Sequence, residues 1–410
     1  MKWNGTGRGL KALGVSLAIA LGMTACSRDY VVGYLYVTSA KSTPGLINAY
    51  AIDYQSGSLT QLSDSPIPSG GNNPVTLVAA PNGLALYVLN HDTSTVVQFN
   101  IGTDGKLYAA NTYNVVQGSG LIGTFPTAAA IDSAGKFLYI TFTYQNGYTT
   151  VKPGPGGVAI FPINADNSLG TPLTYTSSLG TTPYVPVGDN PVGIATSLVG
   201  NYVYVIDDEK PATGAPFGVL LAFTENTSTG ALSPLAGPLS GGFAAGVTPS
   251  SIAEDPSGQF VYVTDSATNL VIGYLATGGA NKTPSPMISS PFSAGLYPVS
   301  VKVDPRGLFA YVANYTASTV NTYAINTATG SLSGSGPTAV STGPTCVTID
   351  PALGIYLYTS NAIDNSVSAE QLNPHTGALE GVQGSQFPAA NLPSCAVAVA
   401  NGAHATQIVE

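Results

Sequence analysis

A dipeptide of tyrosine followed by a β-branched residue recurs through this chain at Tyr36-Val37, Tyr87-Val88, Tyr139-Ile140, Tyr204-Val205, Tyr262-Val263, Tyr311-Val312 and Tyr358-Thr359. A second marker, a proline opening a short apolar run, keeps step with it at Pro74, Pro126, Pro191, Pro249, Pro298, Pro344 and Pro393. The prolines stand 46 to 65 residues apart, which is the length of a four-stranded sheet unit. One such unit cannot cover its own apolar faces, so copies of it must stack.

The clearest copy divides into Val299 to Val303, the turn Asp304-Pro305-Arg306-Gly307, Leu308 to Ala313, Thr319 to Ile325, a turn ending Thr329-Gly330, and Ser331-Leu332. In Asp-Pro-x-Gly the proline pre-sets φ, the aspartate bonds back to the backbone and the glycine accepts positive φ. The turn returns at Asp255-Pro256-Ser257-Gly258 and, altered, at Asp132-Ser133-Ala134-Gly135 and Ala80-Pro81-Asn82-Gly83. With 8% charged residues against Gly 48 and Pro 30, the chain lacks the side chains that coat wet helix faces and is rich in turn formers. The fold class is therefore all-β.

The two ends carry complementary halves of a unit. A Tyr-Val strand at Tyr36 precedes every proline-opened strand, and the last proline-opened strand, Pro393 to Ala400, has no Tyr-Val strand after it. The C-terminal strand is thus predicted to complete the N-terminal blade, closing a seven-bladed β-propeller with four-stranded blades over residues 33–410 as a single domain. Cys346 and Cys395 each stand two residues after a blade proline, on neighbouring inner strands. They are either a disulfide that fastens the closure or two buried thiols.

Ahead of the ring, Lys2, Arg8 and Lys11 precede an apolar run from Leu13 to Leu21 and then Gly22-Met23-Thr24-Ala25-Cys26. That run is too short to span a bilayer and has the order of an export signal. Small residues before a cysteine resemble the bacterial lipobox. This implies a signal peptide over residues 1–25, lipidation of Cys26, a linker over residues 26–32 and, from Ser27, an outer-membrane destination. The alternative is an ordinary cleaved signal with an incidental cysteine. A net charge of -9 with Lys+Arg 12 excludes nucleic acid as a natural partner. Membrane contact is expected through the lipid alone, and the protein is expected to be a monomer.

The run from Pro305 to Asn314, followed by Thr319-Val320 and Thr329-Gly330-x-Leu332, resembles the lactonase-type and YVTN seven-bladed propellers, a group that includes 6-phosphogluconolactonases and carboxymuconate cyclases. The resemblance covers nearly the whole mature chain and implies the fold. Its motifs specify blades and not chemistry. The His, Glu and Arg pattern of the cyclases has no counterpart here.

In propellers, loops after the second strand and loops entering the innermost strand gather on one face around a central channel. On that face the ligand-binding candidates are Asn73, Asn90, Asp92, Tyr144, Asn190, Asp265, Tyr297, Asn314 and Asn361, short polar or aromatic groups suited to a sugar-like ligand. Asn and Asp at such places alternatively satisfy turn backbone. His91, beside Asp92, is the acid-base candidate, and Asp207, in the run Asp207-Asp208-Glu209, is a second catalytic candidate or part of a solvated loop. Two long loops, residues 143–157 and 208–218, fall on the same face, and Tyr144, Tyr148 and Tyr184 are sugar-stacking or interface candidates there.

No metal and no cofactor is expected. Gly118-Ser119-Gly120-Leu121-Ile122-Gly123 fits a dinucleotide fingerprint but has no helix after it, and no G-x-S-x-G or H-E-x-x-H motif is present. Two functions compete: a cell-envelope propeller that captures a small sugar-like ligand or an envelope protein, or a hydrolase acting on a sugar lactone. After Cys26 the only arginines are Arg28 and Arg306, so a bidentate phosphate clamp is missing and a non-phosphorylated lactone is the expected substrate.

Overall fold

A computed structural model describes residues 31–116, 124–143, 156–177, 180–208, 218–235, 237, 242–279, 283–402 and 407–410. These residues form seven antiparallel sheets and one separate two-stranded pair, Tyr175–Ser177 with Gly180–Thr182. The innermost strands of blades two to seven are Pro74–Ala79, Phe125–Ile131, Pro191–Thr196, Pro249–Glu254, Pro298–Val303 and Pro344–Ile349. Each pairs with a second strand: Ala85–Asn90, Phe137–Thr143, Tyr202–Asp207, Phe260–Asp265, Phe309–Asn314 and Tyr356–Asn361. Blade one is composite, as expected. Its second strand, Val31–Ser39, pairs with the C-terminal strand Pro393–Ala400 in the register Gly33↔Ala400, Tyr36↔Val397 and Ser39↔Pro393. No helix among the described residues is long and apolar enough to cross a membrane.

The second strands are buried along their length because both faces of each blade are covered. Alternate residues of a strand point to opposite faces, so Tyr34 and Tyr36 pack on blade two while Leu35 and Val37 pack on blade seven. The apolar core is accordingly divided into seven clusters, one at each junction between neighbouring blades.

In six of the seven repeats the tyrosine also makes a polar latch across its junction. Its hydroxyl donates to a carbonyl in the outer turn of the next blade: Tyr36 to Gly105 at 2.7 Å, Tyr87 to Asn167 at 2.7 Å, Tyr139 to Gly230 at 3.3 Å, Tyr262 to Gly330 at 2.8 Å, Tyr311 to Gly377 at 3.0 Å and Tyr358 to Gly57 at 2.9 Å. Burial pushes these phenols above their ordinary pKa, which keeps the donor proton in place. The turn glycine serves two purposes. Gly330 has φ 72°, and a Cβ there would come within 2.5 Å of Phe260, the aromatic two residues ahead of Tyr262. In blade two the residue ahead is the small Ala85, and the latch carbonyl belongs to Asn167, at φ 64°. Tyr204 differs, for its hydroxyl has no hydrogen-bond partner among the described residues.

Two further devices tie the inner strands. Asp132, Asp255, Asp304 and Asp350 are buried and accept backbone N–H groups of their own turns, as at Leu308 (2.8 Å) and Phe309 (2.9 Å) for Asp304. At the opposite end the residue after the blade proline carries a hydroxyl in alternate blades. Ser394 donates to the Pro74 carbonyl at 2.6 Å, Thr127 to Pro191 at 2.6 Å, Ser250 to Pro298 at 2.7 Å and Thr345 to Pro393 at 3.1 Å. Val75, Val192 and Val299 fill the remaining places. Cys346 and Cys395, Cα atoms 4.9 Å apart, are joined as a disulfide between the inner strands of blades seven and one.

Replacing Tyr262 by Phe leaves the Gly330 carbonyl without its donor and is expected to cost about 1–3 kcal/mol. Tyr204→Phe, with no latch among the described residues, is expected to stay within about 0.5 kcal/mol of the parent, and chemical denaturation compares the two. Cleaving Cys346–Cys395, which closes a loop of sequence separation 49, is expected to cost roughly 4 kcal/mol by the chain-entropy account. Melting the Cys346→Ser/Cys395→Ser double variant beside the parent measures it. Glu370, 3% exposed on the third strand of blade seven, has its carboxyl pushed up to about 8 by burial. The unfolded chain ionises this group near 4.5 while the folded chain keeps it neutral, so stability present at acid pH is lost as pH rises from about 4.5 to about 8. In Glu370→Gln that share of the pH slope should vanish from a series of melts.

Candidate functional site

The strand directions put two sets of connections at opposite ends of the channel. Loops that enter the inner strands and loops that follow the second strands form one face; the Asp-Pro-x-Gly turns form the other.

On the loop face the last residue of the second strand pairs with the blade proline: Asn90↔Pro74, Asp207↔Pro191, Asp265↔Pro249, Asn314↔Pro298 and Asn361↔Pro344. All five are buried, 0 or 1% exposed, and their side chains fasten the loops. Asn90 accepts from Ser69 Oγ at 2.8 Å and donates to the Ser69 carbonyl. Asp265 accepts from the amides of Val247 (2.8 Å) and Thr248 (2.9 Å) and from the Thr268 hydroxyl. Asn314 and Asn361 donate to carbonyls of their own hairpins. Asp207 accepts the Asn190 amide at 3.3 Å. The expectation that Asn90, Asp265, Asn314 and Asn361 contact ligand is therefore corrected. So is that of Asp207 as a solvent-facing base, because its carboxylate is enclosed. Asn190 takes part through its backbone, donating to Asp207 and accepting from the Asp208 amide at 3.0 Å. Tyr144 and Cys26 lie outside the described residues, as do residues 144–155 and 209–217 of the two long loops.

Among the described residues of this face, Asn73, His91 and Asp92 form an accessible polar cluster on blade two, beside Phe125 of blade three. His91 Nδ1 lies 2.7 Å from Asp92 Oδ1, and the Asn73 amide donates to the same oxygen at 3.0 Å. Asn73 holds φ 54°, which aims its side chain across the loop at Asp92. Partial burial pulls the Asp92 carboxyl upward, but hydrogen bonds from His91 and Asn73 outweigh it and hold the group below the usual carboxylate range. With Nδ1 donating to Asp92, the Nε2 lone pair of a neutral imidazole is left available. The ring stacks on Phe125, centroids 4.9 Å apart and planes 24° from parallel. On blade six Tyr297 is 48% exposed at φ 59° and meets Tyr315 edge to face at 6.2 Å.

The turn face holds a cavity that the sequence reasoning did not anticipate. It occupies about 530 Å3 of the channel mouth and is walled by the C-terminal halves of the inner strands, with Lys302 and Glu254 among its lining residues. Burial, set against hydrogen bonds from Ser197 and the Leu198 amide, raises the Glu254 carboxyl to about 7. Arg306 sits at this face but is fully engaged, through Nε to Asp304 (2.7 Å), Nη1 to the Val409 carbonyl (2.8 Å) and Nη2 to the Gly354 carbonyl (2.8 Å). Lys302 carries a sequence signal that was passed over: at the same register the other blades place Val78, Ala130, Ala195, Ala253, Thr348 and Val397. Among the described residues no group of His, Cys, Asp and Glu is arranged to hold a metal ion.

The sequence matches the family described as lactonase, 7-bladed β-propeller, over residues 33–185 and 219–349. No curated protein matches it in sequence. Among solved structures, a candidate 6-phosphogluconolactonase of Bacteroides fragilis superposes with a TM-score of 0.67 at 18% identity, over 91% of this chain and 99% of that one. The periplasmic gluconolactonase of Pseudomonas aeruginosa gives 0.67 at 19% identity, over 90% and 99%. Hydrazine synthase of Kuenenia stuttgartiensis gives 0.55 at 13%, over 85% and 98%. Likeness at these identities establishes a common fold and assigns no chemistry. The family match spans most of the ring, from the composite first blade into the seventh, and on that ground the chain belongs to the lactonase family of seven-bladed β-propellers.

Proposed function

We propose that this chain is an exported lipoprotein, acylated at Cys26 and held at the bacterial cell envelope, whose loop face binds a neutral sugar-like ligand. The observation that carries the reading is the His91–Asp92–Asn73 cluster on Phe125, an aromatic ledge with hydrogen-bonding groups at its edge. Tyr297 offers a second exposed ring on the same face. The one arginine among the described residues is tied down on the opposite face, which disfavours a phosphorylated ligand. The export signal is read from Lys2 to Cys26, and a periplasmic gluconolactonase among the structural neighbours is consistent with it.

A second reading, hydrolysis of a non-phosphorylated sugar lactone, is favoured by the family and by the His91–Asp92 pair. In it Asp92 holds Nδ1–H and Nε2 takes a proton from water. The resulting hydroxide adds to the lactone carbonyl, and collapse of the tetrahedral adduct breaks the ring C–O bond, the alkoxide recovering the proton from His91.

Titration of the mature protein with neutral sugars and their lactones, with product analysis, separates the two. Saturable binding without turnover, weakened in His91→Ala and Tyr297→Ala, is the expected result. Turnover that falls roughly 10²–10⁴-fold in His91→Ala would establish the hydrolase instead. Neither binding nor turnover across the series would remove both. Mass spectrometry of the N-terminal peptide tests acylation of Cys26.

A further inference from the structure

We propose that the turn-face mouth of the central channel is a separate binding site for a small organic monocarboxylate, with the Lys302 ammonium as its counter-ion. The cavity of about 530 Å3 is of the size that takes small ligands. Its walls are largely aliphatic, from residues such as Ile194, Ile252, Val301 and Ile349, and low-dielectric walls concentrate the field of a single charge along the bore.

Among the described residues that charge has no ion-pair partner. The ion pairs among the described residues are His91–Asp92, Lys106–Asp104 and Arg306–Asp304, and none involves Lys302. The side chain is exposed within a bore walled by the inner strands, so it is reachable by a ligand. Desolvation lowers its pKa, and no nearby carboxylate offsets it. An unpaired cation in such a place gains from an anion that brings its own negative charge. The buried aspartates of the surrounding turns do not supply it, because their oxygens are occupied by turn amides.

The size of the charge selects the ligand. One ammonium balances one carboxylate, whereas a phosphate dianion would carry surplus charge into an apolar bore with no guanidinium free to meet it. Glu254, on the adjacent inner strand, lines the same cavity, and burial favours its neutral form, which brings less competing negative charge to the site. The site is independent of the loop face, from which it is separated by the length of the inner strands.

Calorimetric titration of the mature protein with sodium gluconate tests the assignment, with methyl glucoside as the neutral arm and 6-phosphogluconate as the more highly charged one. Gluconate is expected to bind through Lys302, and any binding of methyl glucoside at the loop face is expected to be unchanged in Lys302→Met. Lys302→Met removes an unpaired charge and leaves the fold without a new orphan, so the variant should fold; it is expected to weaken gluconate roughly tenfold to a hundredfold, as for one charge-assisted hydrogen bond. Lys302→Arg is expected to retain gluconate binding, which separates a requirement for the charge from a merely structural one. Equal affinity in the parent and Lys302→Met, or no binding of gluconate to the parent, would overturn the proposal. Tighter binding of 6-phosphogluconate than of gluconate would overturn the choice of a monocarboxylate.

Discussion

A sheet that is apolar on both faces needs two neighbours, and that requirement governs the rest of this molecule. A blade in isolation exposes two greasy surfaces; a row of blades still exposes two at its ends; only a ring exposes none. The division of the core into seven clusters, each shared by two blades, is the physical form of that statement. The composite first blade follows from it as well, since the closing junction must be as well buried as the others. The tyrosine latches add direction. At six of the seven junctions they tie one blade to the outer turn of the next.

Much of this was legible because it is local or periodic. Pro74 and its six counterparts mark the inner strands, the tyrosines mark the second strands, and Asp304-Pro305-Arg306-Gly307 turns for reasons contained in four residues. Closure could be read from the order of two markers at the termini. The junction latches were not legible, because Tyr262 and Gly330 are 68 residues apart and nothing in either residue names the other.

The candidate site was harder for a physical reason. A polar side chain at the end of a strand looks the same in sequence whether it serves a ligand or the backbone, and Asn90, Asp207, Asp265, Asn314 and Asn361 serve the backbone. Their regularity was the missed clue. A residue type that recurs at one register in five blades answers a need that every blade has, whereas chemistry belongs to a residue that departs from its register. Lys302 departs in this way, whereas the loop positions of His91 and Tyr297 follow no common residue type from blade to blade. Lys302 replaces the small or aliphatic residue found in most of the other blades, and its position inside the bore became plain only with the ring assembled.

The alternation of hydroxyl and valine after the blade prolines carries a consequence of parity. From Val75 through Thr127, Val192, Ser250 and Val299 to Thr345, the two kinds take turns, which makes a pair of blades the true repeat of the channel mouth. Pairs cannot tile an odd number. Somewhere two like blades must stand together, and here they are the seventh and the first, Thr345 beside Ser394. The mismatch is therefore placed at the one junction that also has a disulfide and a strand from each end of the chain, so this ring is best regarded as three blade pairs completed by a single blade that is the odd one out.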